Sequence, residues 1–264
     1  MDESARITFL GHSTVLVEVG GLRILTDPVL YDRIGPLRRV VSALDARLHE
    51  GIDLVLVSHL HLDHFDVPSL RLVGTGVRLV VPKGSAHLLR RLGFSEVVEL
   101  GPGDRLRHGS IEITATTAVH GGFRPPFGPR AASVGYVIEG AGERIYFAGD
   151  TDLFPGMAGL GPIDTALIPV RGWGPRLGPG HLDPRRAAEA VGMIAPRIAV
   201  PIHWGTFWPF GLGRVRPGRL ADPPLEFADR ASVTNPDGVV VVTPPGSVVA
   251  LPHPRPNGDA GRRS

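Results

Sequence analysis

The feature that most constrains this chain is the run His-Leu-His-Leu-Asp-His at 59–64, which directly follows an apolar segment. The segment from 52 to 58 is unbroken in apolar residues from Leu54 to Val57, as is typical of a strand buried on both faces. Alternate side chains of an extended chain point the same way, so His59 and His61 can contact one ion. Packing alone gives no reason to gather three imidazoles and a carboxylate here. The run therefore predicts a metal site at the end of a buried strand.

Further ligand-type residues follow other predicted strands. Asp63 and His64 lie where the chain turns toward a predicted helix, so they can face a second metal position. His120, Asp150 and His203 each come directly after a β-type segment. Loops at the ends of strands in layered folds converge on one site, so we expect these side chains to meet. Seven nitrogen and oxygen ligands suit two divalent ions that share a carboxylate; zinc fits best, and manganese and iron stay open.

Composition limits the alternatives. The chain has no cysteine, which excludes thiolate metal sites and disulfides. Its formal net charge is only +2 and it has no basic run, which argues against a nucleic-acid partner. It has no stretch of about 18 apolar residues and no visible leader peptide. We therefore expect a cytoplasmic protein without integral membrane association that acts on a small molecule; the oligomeric state stays open.

The pattern of apolar and turn residues predicts one mixed domain at 1–251 and an aperiodic, disordered tail at 252–264. Residues 31–50, 121–130 and 171–182 are predicted as loops that shape a substrate pocket. Helices are predicted to begin after Asp66, over 85–92, and over 184–194 with Asp183 as the N-cap. The predicted strands cover 6–10, 14–19, 22–26, 52–58, 77–81, 96–100, stretches of 105–117, 134–139, 144–148, 165–170, 198–202 and, as the last strand, 239–242.

The His-x-His-x-Asp-His run after an apolar strand resembles the signature of the metallo-β-lactamase superfamily. The later histidines and the Gly-Asp-Thr turn at 149–151 arrive in the order of that family. The resemblance implies an α+β fold, a four-layer αββα sandwich, with a two-metal site at one edge of its two sheets. It implies a first metal held by His59, His61 and His120, a second held by Asp63, His64 and His203, and a bridging Asp150.

Other segments resemble one branch of the family. Leu-Gly-His-Ser-Thr at 10–14, Leu-Thr-Asp-Pro at 25–28, Gly-His-Leu-Asp-Pro at 180–184 and His-Trp-Gly-Thr-Phe at 203–207 carry this resemblance. The branch contains ascorbate-6-phosphate lactonases and N-acyl-phosphatidylethanolamine phospholipases D. It implies a hydrolase in which a metal-bridging hydroxide cleaves an ester, lactone or phosphodiester bond.

Several residues are candidates for supporting roles. Asp63 is a candidate catalytic residue that orients the nucleophile or accepts its proton. His181 is either a catalytic donor to the substrate or a partner of the adjacent helix cap. His12 and Asp27 are candidates to buttress metal ligands, although simple turn chemistry before a proline would also explain Asp27.

Two alternative functions stay open at this point. A phosphodiesterase of phospholipase D type, acting on lipid or nucleic acid, is the first alternative to a small-ester hydrolase. A non-catalytic metal-binding sensing module is the second. Arg38, Arg39, Arg124 and Arg130 are candidates to meet an anionic substrate, but solvated surface is the favoured interpretation of these arginines.

Overall fold

Alternating and continuous apolar segments form the strands and helices of this chain. A computed structural model describes residues 5–41, 44–124, 128, 130–172, 177–210 and 218–250. The strands of the first half are β1 (Arg6–Gly11), β2 (Thr14–Val19), β3 (Leu22–Thr26), β4 (Arg33–Ile34), β5 (Leu37–Arg39), β6 (Leu54–Leu56), β7 (Arg78–Pro82), β8 (Val97–Leu100), β9 (Arg105–His108) and β10 (Ile111–Thr117). Those of the second half are β11 (Val134–Gly140), β12 (Glu143–Phe147), β13 (Thr165–Pro169), β14 (Ile198–Ile202), β15 (Phe207–Pro209), β16 (Val239–Val240) and β17 (Ser247–Ala250). The α-helices are α1 (Val67–Val73), α2 (Ala86–Arg91), α3 (Pro184–Ile194) and α4 (Gly218–Thr234), and short 3-10 helices cover Ala46–His49 and Pro155–Gly159.

Two seven-stranded mixed sheets carry the fold. The first has the order β17-β1-β2-β3-β6-β7-β8 and the second β16-β14-β13-β12-β11-β10-β9. Strands β3, β6, β7 and β8 run parallel, as do β12, β13, β14 and β16. The carboxyl ends of the parallel strands in each sheet therefore meet at one edge, where loops can converge.

Three apolar clusters define four layers. One cluster lies between the sheets and takes residues from both, among them Phe9, Ile113 and Leu167. A second lies under α1 and α2 against the first sheet, and a third lies under α3 and α4 against the second. The order of layers is thus helix, sheet, sheet, helix, which confirms the predicted αββα sandwich.

Two of the predicted helix starts, those of α1 and α3, are confirmed by their caps. The Asp66 side chain accepts a hydrogen bond from Ser69 N at 3.0 Å at the start of α1. The Asp183 side chain accepts one from Arg186 N at 2.8 Å at the start of α3. A carboxylate at this position satisfies an otherwise unpaired amide of the first turn, which stabilises a helix by about 1 kcal/mol.

Three predictions need correction. Segment 31–50 is not irregular throughout, because β5 pairs with β15 and, with β4, makes a small third sheet over the buried side chains of Ile34, Leu37 and Phe207. The strand predicted at 239–242 ends at Val240, and β17 follows it and pairs antiparallel with β1. No helix is predicted over 218–234, yet α4 lies there and packs Phe227 and Ala231 into the cluster under α3. These elements depend on distant partners, which a local pattern does not display.

The predicted tail at 252–264 lies outside the described residues, as do 125–127 and 129 of the loop at 121–130 and 173–176 of the loop at 171–182. Among the helices that the structure describes, none has the length and apolar character needed to span a membrane.

Candidate metal centre

Loops from both sheets converge at one edge of the sandwich. They follow β1, β3, β6, β10, β12 and β14, and they carry His12, Asp27, the run at 59–64, His120, Asp150 and His203. A separate loop before α3 brings His181 to the same place, where its Nε2 lies 3.3 Å from Asp150 Oδ2. The structure therefore brings together all the side chains that the sequence marks as candidate ligands or catalytic groups.

Three imidazoles, His59, His61 and His120, form what we call the first group, with ligand atoms within 4.8 Å of one another. His61 Nε2 lies 3.0 Å from the Phe123 carbonyl oxygen, and His120 Nδ1 lies 2.7 Å from that of Gly180. Carbonyl oxygens only accept hydrogen bonds, so these outer ring nitrogens carry the protons. In the neutral rings, the inner atoms, His61 Nδ1 and His120 Nε2, then turn lone pairs toward each other across 3.0 Å.

His59 is the fully buried member of the first group. Its Nδ1 lies 2.9 Å from Ser58 Oγ, and the Ser58 hydroxyl donates to Asp27 Oδ2 at 2.6 Å. The hydroxyl therefore accepts from His59 Nδ1, and the remaining nitrogen, Nε2, is left with a lone pair. That Nε2 is buried without a hydrogen-bond partner. Burial also lowers the pKa of His59 well below its ordinary value, which keeps the ring neutral and able to bind a metal.

We call Asp63, His64 and His203 the second group; their ligand atoms, with that of His12, also lie within 4.8 Å of one another. His64 Nδ1 donates to Asp27 Oδ2 at 2.7 Å, and His203 Nδ1 donates to the carbonyl oxygen of Arg171. The inner Nε2 atoms of His64 and His203 consequently face each other at 3.1 Å.

Asp150 connects the groups. Its Oδ2 lies 3.2 Å from His64 Nε2, and its Oδ1 lies 3.3 Å from His203 Nε2. With His120 and His181 it forms a further set of ligand atoms within 4.8 Å. A single carboxylate thus reaches toward both groups, which is the arrangement expected of a bridging ligand.

Buried charges leave this centre in need of a cation. Burial raises the pKa of Asp150, but the imidazoles of His203 and His64 outweigh it and hold that pKa well below its ordinary value. Burial lowers the pKa of His64, yet the carboxylates of Asp150, Asp63 and Asp27 drive it well above its ordinary value. Burial lowers the pKa of His203 to about 3. Ionised carboxylates and inward-facing lone pairs are the donor set that divalent ions bind, so the residues fit metal.

Backbone strain is concentrated here. His12, Asp27 and His203 have φ values of +56°, +33° and +62°, which residues other than glycine rarely adopt. Such strain costs about 1–3 kcal/mol per residue and persists where the surrounding structure fixes a functional geometry.

Some contacts escaped prediction. Asp27 does more than close a turn, because it accepts hydrogen bonds from both Ser58 N at 2.7 Å and the Ser58 hydroxyl. Ser58 is not among the predicted site residues, although a hydroxyl beside a candidate ligand is a usable signal. The carbonyl groups of Phe123, Arg171 and Gly180 have no signal in sequence, because every residue has one.

Two arginines favoured as solvated surface are structural instead. Arg39 is buried, donates to the Val29 carbonyl at 2.8 Å and lies over the Phe207 ring at 4.9 Å. Arg124 donates to the Phe65 carbonyl at 3.0 Å and lies over the Phe65 ring at 5.0 Å. Both hold loops around the centre in place.

The αββα fold and a buried His/Asp centre at the sheet edge together define a metal-dependent hydrolase of the metallo-β-lactamase fold. Residues 22–204 match the family described as the beta-lactamase superfamily domain. The chain belongs to that superfamily.

Three relatives place it more closely. A UPF0173 metal-dependent hydrolase of Methanopyrus kandleri is 32% identical over 91% of this chain and 97% of its own length. N-acyl-phosphatidylethanolamine-hydrolyzing phospholipase D 1 of Caenorhabditis elegans is 32% identical to this chain. The match covers 76% of this chain and 64% of the Caenorhabditis elegans protein. The solved structure of Igni18, a metallo hydrolase from Ignicoccus hospitalis, has a TM-score of 0.72 and 25% identity, covering 93% of this chain and 97% of that one.

Proposed function

We propose that the chain is a dinuclear hydrolase that cleaves an ester, lactone or phosphodiester bond beside an apolar group of a small molecule. The first group would hold one ion, the second group would hold the other, and Asp150 would bridge them. One observation carries the proposal: each of five imidazoles donates its outer proton to a fixed acceptor and turns its other nitrogen inward. These nitrogens are His59 Nε2, His61 Nδ1, His64 Nε2, His120 Nε2 and His203 Nε2.

Zinc is the ion that this ligand set favours, since imidazole and carboxylate ligands without thiolate suit it well. When bound, the ions would lower the pKa of a water and polarise the oxygen of the scissile group. The Asp63 carboxylate, held by His12 at 2.9 Å, would accept and hold a proton during the reaction. His181 has a side chain 23% exposed and faces Asp150, so it would donate to the substrate from the solvent side.

The mouth of the centre supports an apolar substituent on the substrate. Leu62, Val119 and Phe123 are exposed by 44%, 44% and 40%. Each is close in the chain to a ligand of the first group, and the Phe123 carbonyl accepts directly from His61. Exposed apolar side chains at the rim of a polar site are a usual mark of ligand binding.

The same rim favours one second candidate, a phosphodiesterase of phospholipase D type that acts on a lipid. The Caenorhabditis elegans relative is named as a phospholipase D that hydrolyses N-acyl-phosphatidylethanolamine. Nucleic acid is not favoured by an apolar rim, since phosphate binding relies on clustered basic side chains.

The first experiment measures metal and turnover together. Protein supplied with zinc or manganese is analysed for metal content and tested on p-nitrophenyl acetate, p-nitrophenyl octanoate, bis(p-nitrophenyl) phosphate and a panel of lactones. We expect two ions per chain and a higher kcat/KM for the octanoate than for the acetate. Less than one ion per chain would overturn the proposal. Two ions with every ester inert would favour the sensing module.

Asp63→Ala tests the catalytic assignment. We expect kcat to fall by about 10²- to 10⁴-fold, the usual contribution of a general acid or base. Asp229→Ala on the exposed face of α4 serves as the matched control and should keep full activity. Full activity in the Asp63 variant would remove this residue from the mechanism.

Leu62→Ser and Phe123→Ser test the apolar mouth. Loss of about 1–2 kcal/mol of apolar contact should lower kcat/KM for the octanoate by roughly 5- to 30-fold and leave the acetate unchanged. Leu72→Ser, at a side chain 47% exposed on α1, is the control. An equal loss for both esters would contradict an apolar subsite.

A further inference from the structure

His12 joins the two sheets at the metal centre. It is buried and follows β1, where its backbone N–H donates to Thr206 Oγ1 at 2.7 Å. Its carbonyl oxygen accepts from His203 N at 2.7 Å. The preceding Gly11 has no room for a side chain, since a Cβ there would lie 2.7 Å from Thr206 Cγ2. The position of His12 is therefore fixed by the loop that carries a ligand of the second group.

The His12 side chain extends the connection to two ligands. Its Nε2 lies 2.9 Å from Asp63 Oδ2, and its ring packs 3.8 Å from the His203 ring, centroid to centroid. The Phe207 ring meets it edge-on at 5.6 Å. Asp63 comes from the loop after β6 in the first sheet and His203 from the end of β14 in the second, so one imidazole contacts a ligand from each sheet.

The direction of this hydrogen bond separates His12 from the other imidazoles. An ionised carboxylate accepts hydrogen bonds and donates none, so His12 Nε2 carries the proton and donates to Asp63. That nitrogen then has no lone pair for a metal ion. In the five imidazoles of the two groups the outer nitrogen is instead the one that donates to a fixed acceptor, so the inner nitrogen is the one available to a metal ion.

We propose that His12 is a positioning residue of the second group: it fixes the Asp63 carboxylate through Nε2–H and the His203 ring through packing, and it does not bind metal. This inference rests on the proposed two-ion site. Groups that orient ligands in this way typically change metal affinity by about 10- to 100-fold when they are removed.

Two amides of different length test the hydrogen bond. His12→Asn tolerates the positive φ, but its amide reaches only the place of ring Nδ1 and loses Asp63. His12→Gln is one carbon longer and brings its amide nitrogen near the place of Nε2. Zinc content, competition with a chelator, and the visible spectrum after cobalt substitution are measured for both variants and for the wild type. Thermal unfolding of the metal-free proteins reports on the fold.

We expect the Asn variant to bind one of its two zinc ions about 10- to 100-fold more weakly, and the Gln variant to recover most of that affinity. The cobalt spectrum of the Gln variant should match the wild type, because no ligand has been removed. Unchanged zinc affinity in a folded Asn variant would overturn the proposal. So would a Gln variant that loses both affinity and the wild-type cobalt spectrum, since His12 would then be a ligand.

Two further controls separate the possible failures. If His12→Asn does not fold, His12→Phe, which keeps the ring packing but not the donor, takes its place in the comparison with Gln under the same criteria. A wild-type protein that binds fewer than two zinc ions would overturn the dinuclear site itself. A wild type with two ions and indifferent variants would overturn only the role of His12.

Discussion

The two ligand groups of the metal centre are built differently. The second group is held by buried side chains, since those of His64 and His203 are 0% and 1% exposed. Asp27 accepts a hydrogen bond from His64, and His12 donates one to Asp63. The first group leans on backbone carbonyls, those of Phe123 and Gly180, and two of its three imidazoles are only half-buried. The proposed metal position of the second group would therefore be fixed by the core of the protein, whereas that of the first group would lie closer to the solvent.

The distribution of strain agrees with this difference. Within the described part of the chain, the non-glycine residues with positive φ include His12, Asp27 and His203, and none from the first group. Burying charged groups costs several kcal/mol unless each is paired. Buried hydrogen-bond partners meet this requirement in the second group, whereas two imidazoles of the first group are partly exposed to solvent.

Asp150→Asn should have the largest effect, because Asp150 is the carboxylate that reaches both groups. Asparagine keeps the shape but removes the charge that offsets the ions. We expect zinc affinity to fall at both positions and kcat to fall by at least about 10³-fold, since both metal and proton chemistry suffer. Zinc content and kcat measure this, with Asp229→Asn as control. Loss at one position alone would mean that Asp150 serves a single group.

Asp27→Asn should separate the groups. It places an amide where Oδ2 now accepts from His64 Nδ1, so the second position should bind zinc about 10- to 100-fold more weakly. The first position should suffer less, because Asp27 reaches it only through the Ser58 hydroxyl. Ser58→Ala is the reciprocal variant, and it should weaken the first position and spare the second. Anomalous diffraction at the zinc edge gives the occupancy of each position, and equal losses in both variants would refute the division.

Part of the fold and of the metal centre could be predicted from the sequence. The strands ending in ligands could be predicted, because the run at 59–64, Asp150 and His203 follow short, strongly apolar segments. The caps by Asp66 and Asp183 could be predicted for a similar, local reason. The assignment of each ligand to one ion came from family resemblance and is still a prediction.

What could not be predicted depends on contacts between distant residues. Pro223 and Pro224 argue against a helix, and only packing against α3 explains why α4 forms there. Strand β17 needs β1 as a partner, and β5 needs β15. The burial of Arg39 likewise follows from a loop carbonyl and a ring that lie far from it in the sequence. Local propensity carries no record of such partners.

Gly180→Ala should have the smallest effect and should act on the first group alone. Gly180 has a φ of +80°, and a Cβ there would lie 3.0 Å from His120 Nδ1 and 3.1 Å from the Val119 carbonyl oxygen. We expect a loss of about 1–2 kcal/mol in unfolding free energy from the left-handed backbone. Displacement of His120 should also weaken zinc binding several-fold at the first position and leave the second unchanged.

Gly178 provides the matched control for this variant, because a Cβ there would meet nothing within 4 Å. Gly178→Ala should therefore change neither the unfolding free energy nor the zinc occupancy. Thermal unfolding of the metal-free proteins and zinc-edge occupancies compare the two variants directly. If Gly180→Ala emptied the second position while the first stayed full, Gly180 would support the second group and not the first, and the contrast between the two groups would be reversed.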